Sequence, residues 1–396
     1  MNLPAKSPIS LHADAALIHA GRTPHQHGGF VNTPIFRGST ILSESFEAWE
    51  ASKRPGHPTG GYGRFGTPTT QSFETAVAEM EGGFRSQVFP SGLSACSHAL
   101  TAFLKVGDHL LIADSVYGPT RTFADMVLRR YGVDVEYFDP MIGAGLNKHL
   151  KSSTRVVFIE SPGSLGFEML DVPLIAEIAH AAKATVIMDN SWASPLYFKL
   201  FGHGVDVSIQ AATKYLVGHS DALLGVATSN QQAWATLEAS AHAFGETAGP
   251  DDVYLALRGI RTLGVRLRQH WATGLLLAES LTRHRAVEAV LHPALADHPG
   301  HSIWQRDFLG ASGLFAIALK PLPRDALASV VGQLKLFGLG LSWGGFESLV
   351  LPVDRPHRTV SPWPYAGPLL RIHAGLEDAA DLIEDMHAAL HLAPWR

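Results

Sequence analysis

The stretch Val205-Asp206-Val207-Ser208-Ile209-Gln210-Ala211-Ala212-Thr213-Lys214-Tyr215-Leu216-Val217-Gly218-His219-Ser220-Asp221 decides how this chain is read. It runs from a short apolar, β-like segment into a polar loop. Lys214 sits at the exit of the segment, between a threonine and a tyrosine. Most lysines in such a place are solvated surface charges. The alternative is a lysine whose amine condenses with a carbonyl cofactor.

Upstream, Thr185-Val186-Ile187-Met188-Asp189-Asn190 is another apolar run that ends in an acid. An Asp closing one β-run and a Lys closing the next suit pyridoxal phosphate, which needs a lysine for its aldehyde and a carboxylate for its ring nitrogen. In open α/β sheets, ligands bind beyond the carboxyl ends of the strands, where both residues would point.

Thr213-Lys214-Tyr215 followed by Gly218-His219-Ser220-Asp221, with Asp189 upstream, resembles the pyridoxal-phosphate enzymes of cysteine and methionine metabolism. The resemblance runs from about Asp14 to about Leu392 and is strongest to the bacterial cystathionine β-lyases. It implies an α/β chain of the aspartate-aminotransferase-like, type I PLP-dependent transferase fold: a large, mostly parallel-sheet domain plus a smaller C-terminal α/β domain. It also implies a homotetramer, a dimer of dimers with shared active sites.

Composition agrees with a large globular enzyme. The 396 residues suit two or three domains, and 46% hydrophobic against 17% charged residues excludes a disordered chain and points to surface buried between subunits. A net charge of -5 without a Lys/Arg-rich run argues against a nucleic-acid partner. Cys96 is the single cysteine, so no internal disulfide forms, as in a reducing cytosol. The start, 1–10, does not read as a signal peptide, and no apolar run reaches the length of a membrane span. A soluble, cytoplasmic protein is expected.

Residues 1–60 read as an arm, broken by prolines and glycines, with a helix near 13–20. The cofactor-binding domain is expected over 61–257 and the C-terminal domain over 258–396. Gly61, Gly63 and Gly66 form a formal G-x-G-x-x-G, but residues 53–58 before them do not read as a strand, so a dinucleotide site is rejected. The alternative is a flexible glycine loop. The resemblance implies that Tyr62 and Arg64 of this loop reach the active site of the neighbouring subunit.

Helical spacing marks 71–81, and strands are expected at 86–89, 109–113, 133–138, 155–160, 185–189, 205–210 and 223–228, with a helix at 174–183. This alternation predicts a mostly parallel sheet covered by helices. From 255 to about 284 one long Arg-rich helix is expected to bridge the domains, followed by strands at 310–319, 335–341 and 369–373 and a closing helix at 378–390.

Pro90-Ser91-Gly92-Leu93-Ser94 turns into an apolar helix. Its first N–H groups can take a phosphate, although an ordinary N-cap reads the same. The resemblance places Gly92 and Leu93 in the phosphate cup, with Thr213 nearby, and Tyr117 stacked on the cofactor. Many relatives carry a serine where Ala211 stands. His292, His298 and His301 match no zinc-type spacing, and His25 and His27 read as a solvated loop, so no metal is expected. No P-loop or nucleophile-elbow serine is present.

The expected chemistry starts with Lys214 removing the substrate Cα proton while Asp189 holds the ring-nitrogen proton. The resemblance assigns Tyr117 and Tyr62 catalytic roles beside Lys214, and assigns Arg371 to the substrate α-carboxylate. Ser342 and Trp343, in Leu341-Ser342-Trp343-Gly344-Gly345, match the β-lyase form of their loop, as does Ser164 in Glu160-Ser161-Pro162-Gly163-Ser164. The implied reaction is β-elimination of L-cystathionine. A related carbon–sulfur lyase, a cysteine desulfhydrase or γ-lyase, uses the same groups. A nicotinamide oxidoreductase or a non-catalytic binding protein fits less of the pattern.

Overall fold

The computed structural model describes residues 13–54 and 60–391. The N-terminal start read above and residues 55–59 ahead of the glycine loop lie outside the described residues. Seven strands form the larger sheet: β1 (Arg85–Phe89), β2 (His109–Ala113), β3 (Asp134–Phe138), β4 (Thr154–Glu160), β5 (Thr185–Asp189), β6 (Val207–Gln210) and β7 (Gly225–Ser229). Their order is β1-β7-β6-β5-β4-β2-β3. β7 runs antiparallel to both neighbours, and the other pairings are parallel.

The inner strands are nearly continuous apolar runs because helices cover both faces. Leu110, Leu111, Ile112, Val156, Val157, Phe158, Val186, Ile187 and Met188 are all fully buried. The helix Gly92–Phe103 lies across β4 to β7, and Val172–Ala181 packs on β5. This leaves the carboxyl ends of β4, β5 and β6 side by side, closing on Glu160, Asp189 and Gln210.

The second sheet holds β8 (Val287–Leu291), β9 (Leu314–Leu319), β10 (Gly338–Leu339), β11 (Leu349–Val353) and β12 (Leu369–His373) in the order β10-β11-β12-β9-β8. Arg371 sits mid-strand in β12, between Leu351 of β11 and Ala316 of β9. The helix Ala379–His391 packs on Leu263–Leu281 beside this sheet.

Three expectations need correction. The single bridging helix is two helices, Pro250–Ile260 and Leu263–Leu281. The Gly259 carbonyl, which a continuous helix would pair with residue 263, instead accepts from Thr262 N at 3.1 Å and from Arg266 Nη2 at 2.7 Å. The Arg261 guanidinium turns to the Leu17 and Ala20 carbonyls, pinning the N-terminal helix Ala13–His19. The strand expected at 335–341 shrinks to two exposed residues of β10 at a sheet edge. β8 and β11 were not anticipated, since Pro352 in β11 masks its pattern.

One buried carboxylate ties the two parts of the chain together. Asp114, just after β2, is fully buried. It accepts from Arg121 at 2.7 Å, Thr359 N at 2.8 Å, Val360 N at 2.9 Å and Ser361 N at 3.2 Å. Burial pushes its pKa up, but these donors outweigh burial and hold it below the usual carboxylate range. Removing the carboxylate strands a buried Arg121 and three main-chain N–H groups. Asp114→Ala is expected to cost roughly 3–5 kcal/mol, read as a lower urea midpoint. An unchanged midpoint would show that the tie carries no stability.

Candidate active site

β6 ends at Gln210, whose side chain is buried and donates to Glu81 Oε1 at 2.8 Å. The chain then turns, and Thr213 N donates to Leu224 O at 3.0 Å. Thr213 Oγ1 accepts from Leu224 N at 2.9 Å, so its hydroxyl serves this turn. Lys214 follows, clamped on its far side by Tyr215. The Tyr215 ring is fully buried, its hydroxyl accepts from Gly313 N at 3.2 Å, and its carbonyl accepts from Arg266 Nη1 at 2.8 Å.

The Lys214 side chain is thereby held inward. Its Nζ lies 2.5 Å from Ser342 Oγ and 5.3 Å from the centre of the Trp343 ring. Burial and the nearby Arg371 charge push the amine down to about 8, against the pull of Asp189. Ser342 has a φ of 79°, a left-handed conformation costing a non-glycine residue roughly 1–3 kcal/mol. That backbone presents Oγ to Lys214 while the Ser342 carbonyl accepts from Arg371 Nη2 at 2.9 Å. Gly344 allows the close approach, because a Cβ there would stand 3.0 Å from the Lys214 carbonyl carbon.

Asp189, one strand over, accepts from Ser191 N at 3.0 Å, with Cys96 Sγ at 3.8 Å. Burial raises its pKa, opposed by Ser191, Cys96 and Lys214. The helix Gly92–Phe103 opens nearby with Ser91 as N-cap, accepting from Ser94 N at 3.0 Å. The N–H groups of Gly92 and Leu93 precede any helical acceptor and are available to an anion. Only glycine fits at 92, since a Cβ would lie 2.6 Å from the Ala211 side chain. Ala211 N donates to Ser191 Oγ at 2.7 Å.

Tyr117 lies at the N-terminus of the helix Gly118–Phe123 and is 44% exposed. Burial raises its hydroxyl pKa, with Arg371 pulling the other way. Lys214, Ser342, Trp343, Arg371, Asp189 and Tyr117 are thus linked by contacts or by direct electrostatic influence. Tyr62 and Arg64 make local contacts in this chain. Tyr62 bridges to Thr40, and the Arg64 guanidinium lies 5.3 Å from the Tyr62 ring centre and 4.9 Å from that of Phe65. The residues before the glycine loop on which the dinucleotide reading turned include 55–59, outside the described residues; the loop itself leads through the short 3-10 turn Gly63–Phe65 into the helix Pro68–Glu81.

Sequence reasoning missed Ser191, Arg266, Tyr215 as an anchor, and Glu160. Glu160 carried the same signal as Asp189, an acid closing a strand. The histidines weighed as metal ligands serve turns: Nδ1 of His292 accepts from Ala294 N at 3.1 Å and Nδ1 of His298 from Gly300 N at 3.0 Å. Another trio, His284, His387 and His391, brings ring nitrogens within 4.8 Å of one another. His284 Nδ1 accepts from Ala286 N at 3.2 Å, which leaves the neutral ring's proton on Nε2 and blocks that nitrogen as a ligand.

A half-buried amine, a half-buried carboxylate one strand away, and a helix start whose first N–H groups face no helical acceptor fit pyridoxal phosphate by the chemistry of the donors. Fold and site are those of a pyridoxal-phosphate enzyme. The chain belongs to the Cys/Met metabolism PLP-dependent enzyme family, whose model matches residues 14–391. It is 45% identical over 374 residues to a putative cystathionine β-lyase of Rhizobium johnstonii, covering 93% of each chain. It is 43% identical over 383 residues to the cystathionine β-lyase MetC of Escherichia coli, covering 95% of this chain and 97% of that one. The crystal structure of metB from Corynebacterium glutamicum superposes with a TM-score of 0.88 at 29% identity, covering 96% of this chain and 98% of that one. Among the described residues no helix is long and apolar enough to cross a membrane.

The lowered pKa of Lys214 has a direct readout. In cofactor-free protein, labelling of Lys214 by an amine-directed reagent should rise with pH and level off through a midpoint of about 8, where the neutral amine takes over. A midpoint near the ordinary lysine value of about 10.4 would contradict the buried setting.

Proposed function

We propose that the chain is a cystathionine β-lyase, splitting L-cystathionine into L-homocysteine, pyruvate and ammonia on the way to methionine. The observation that carries this reading is the Lys214 amine, half-buried, hydrogen-bonded to Ser342 and close enough to Arg371 and Asp189 to feel both charges. Relatives named as cystathionine β-lyases at 37–45% identity support the substrate.

The bound cofactor supplies an electron sink for the pair left on the substrate Cα. The residues of the chain do the rest. Arg371 takes the α-carboxylate on two N–H groups, which fixes the Cα–H bond relative to Lys214. Lys214, neutral above about 8 in the empty site, removes that proton, and Ser342 steadies the amine between strokes. The Cβ–S bond then breaks, and Lys214 returns a proton to the departing thiolate. The remaining enamine takes up water and leaves as pyruvate and ammonia. Asp189 would hold the ring-nitrogen end of the cofactor, Tyr117 would pack on its ring, Gly92, Leu93 and Thr213 would hold its phosphate, and Trp343 narrows the pocket beside Lys214.

Tyr62 and Arg64 complete the site of a neighbouring subunit in a homotetramer, as phosphate and substrate ligands, with Tyr62 also acting in catalysis. Phe30, Val31, Leu42 and Phe46 in the N-terminal arm support this assembly, being 73%, 65%, 88% and 68% exposed in the single chain. The arm over 1–60, a cofactor domain over 61–257 and a C-terminal domain over 258–396 belong to the same reading, as does a place in the cytoplasm.

Purified protein given L-cystathionine should release pyruvate and homocysteine in equal amounts, with a higher kcat/KM than for L-cysteine. Mainly 2-oxobutyrate would mean γ-elimination, and a preference for cysteine would mean a desulfhydrase. Lys214→Ala should lower kcat by roughly 10³-fold or more while the fold persists. Arg371→Ala should raise KM for every amino-acid substrate, by about 100-fold for the loss of two charged hydrogen bonds. Loss confined to cystathionine would move Arg371 to the distal carboxylate.

A further inference from the structure

Glu160 closes β4 as Asp189 closes β5, and the parallel register pairs the two residues. Paired positions on neighbouring strands send their side chains to the same face of the sheet, so the two carboxyls share one side. Glu160 Oε2 accepts from the main-chain N–H of Tyr117 at 2.7 Å. A second bond laces the same two segments, from Ser164 N to Ser115 O at 2.7 Å. Gly163 packs against Ser115 so closely that a Cβ would lie 2.6 Å from the Ser115 Cβ. The segment carrying Tyr117 is therefore held by the segment that begins at Glu160.

We propose that Glu160 is a positioning residue, which fixes Tyr117 over the Lys214–Asp189 site by holding its main-chain N–H. This rests on the reading of Lys214, Tyr117 and Asp189 given under Proposed function. Only the oxygen acceptor of Glu160 is required for the task, and a second negative charge beside Asp189 would oppose it. Burial, and then the neighbouring Asp189, push the Glu160 carboxyl well above its usual range, while Tyr117 N–H and Arg358 pull the other way. Arg358 gives its closest contact to Glu168, at 2.9 Å, leaving Glu160 without its full charge. Asp189 has Ser191 N–H, Cys96 and Lys214 to favour its ionised form. Burial pushes both carboxyls up, and Asp189 has the larger set of neighbours favouring its ionised form.

The test uses the pyridoxal-phosphate-loaded protein and its Glu160→Gln, Glu160→Ala and Glu160→Asp variants. Glutamine keeps an acceptor oxygen at the same reach and carries no charge. Glu160→Gln should hold kcat/KM within about threefold of the parent, with the same visible circular dichroism and the same pH midpoint of the visible absorption band. Glu160→Ala should lose about tenfold in kcat/KM and weaken the visible dichroism, because Tyr117 is no longer held. Glu160→Asp, whose shorter arm withdraws the acceptor, should behave like alanine and serves if the alanine variant does not fold.

A glutamine variant as impaired as alanine, or one whose band shifts its pH midpoint by about a unit, would overturn the proposal, since the charge would then be the function. An aspartate variant equal to the parent would overturn it too. Failure of the underlying site reading would look different: the parent protein itself would show no visible band, or Lys214→Ala would keep one unchanged.

Discussion

Lys214 Nζ lies 2.5 Å from Ser342 Oγ, in a setting where burial and the Arg371 guanidinium both disfavour its protonation. Much of the surrounding structure serves to keep an amine there. An exposed lysine is a strongly hydrated cation and a poor nucleophile at neutral pH. Removing water lowers the cost of its neutral form, but only if the side chain cannot swing back out. Arg266 and Gly313 fix the adjoining Tyr215, and the amine itself is held by its hydrogen bond to Ser342 Oγ.

The fold makes this possible because parallel strands end together. Glu160, Asp189 and Gln210 close neighbouring strands, and Lys214 follows four residues after the last. The second sheet contributes Arg371 from mid-strand and the 342–345 loop from a neighbouring turn. The site thus depends on how the two sheets are joined. Asp114 supports that joint by gathering Arg121 and the 359–361 segment on a buried carboxylate.

Much of this was legible in the sequence. Apolar runs ending in Asp189 and just before Lys214 read directly as strand ends, because a strand buried on both faces must be apolar throughout. What was not legible depends on contacts between distant segments. The break at Thr262 follows from Arg266 taking the Gly259 carbonyl, which no local propensity encodes. The conformation of Ser342 follows from bonding two partners at once. Glu160 was quoted but given no part, although it ends its strand as Asp189 does. Tyr62 and Arg64 illustrate another limit: within this chain they contact Thr40 and Phe65, and a role in a neighbouring subunit depends on an assembly that a single chain does not carry.

The central claim, that Lys214 is the lysine joined to the cofactor, has a direct test. Borohydride reduction of the pyridoxal-phosphate-loaded protein fixes the cofactor to its lysine, and digestion with peptide mass spectrometry locates it. The label should fall on the peptide containing Thr213-Lys214-Tyr215 and disappear in Lys214→Ala. A label on another lysine, such as Lys199, whose amine donates to the Met80 and Pro195 carbonyls, would contradict the account.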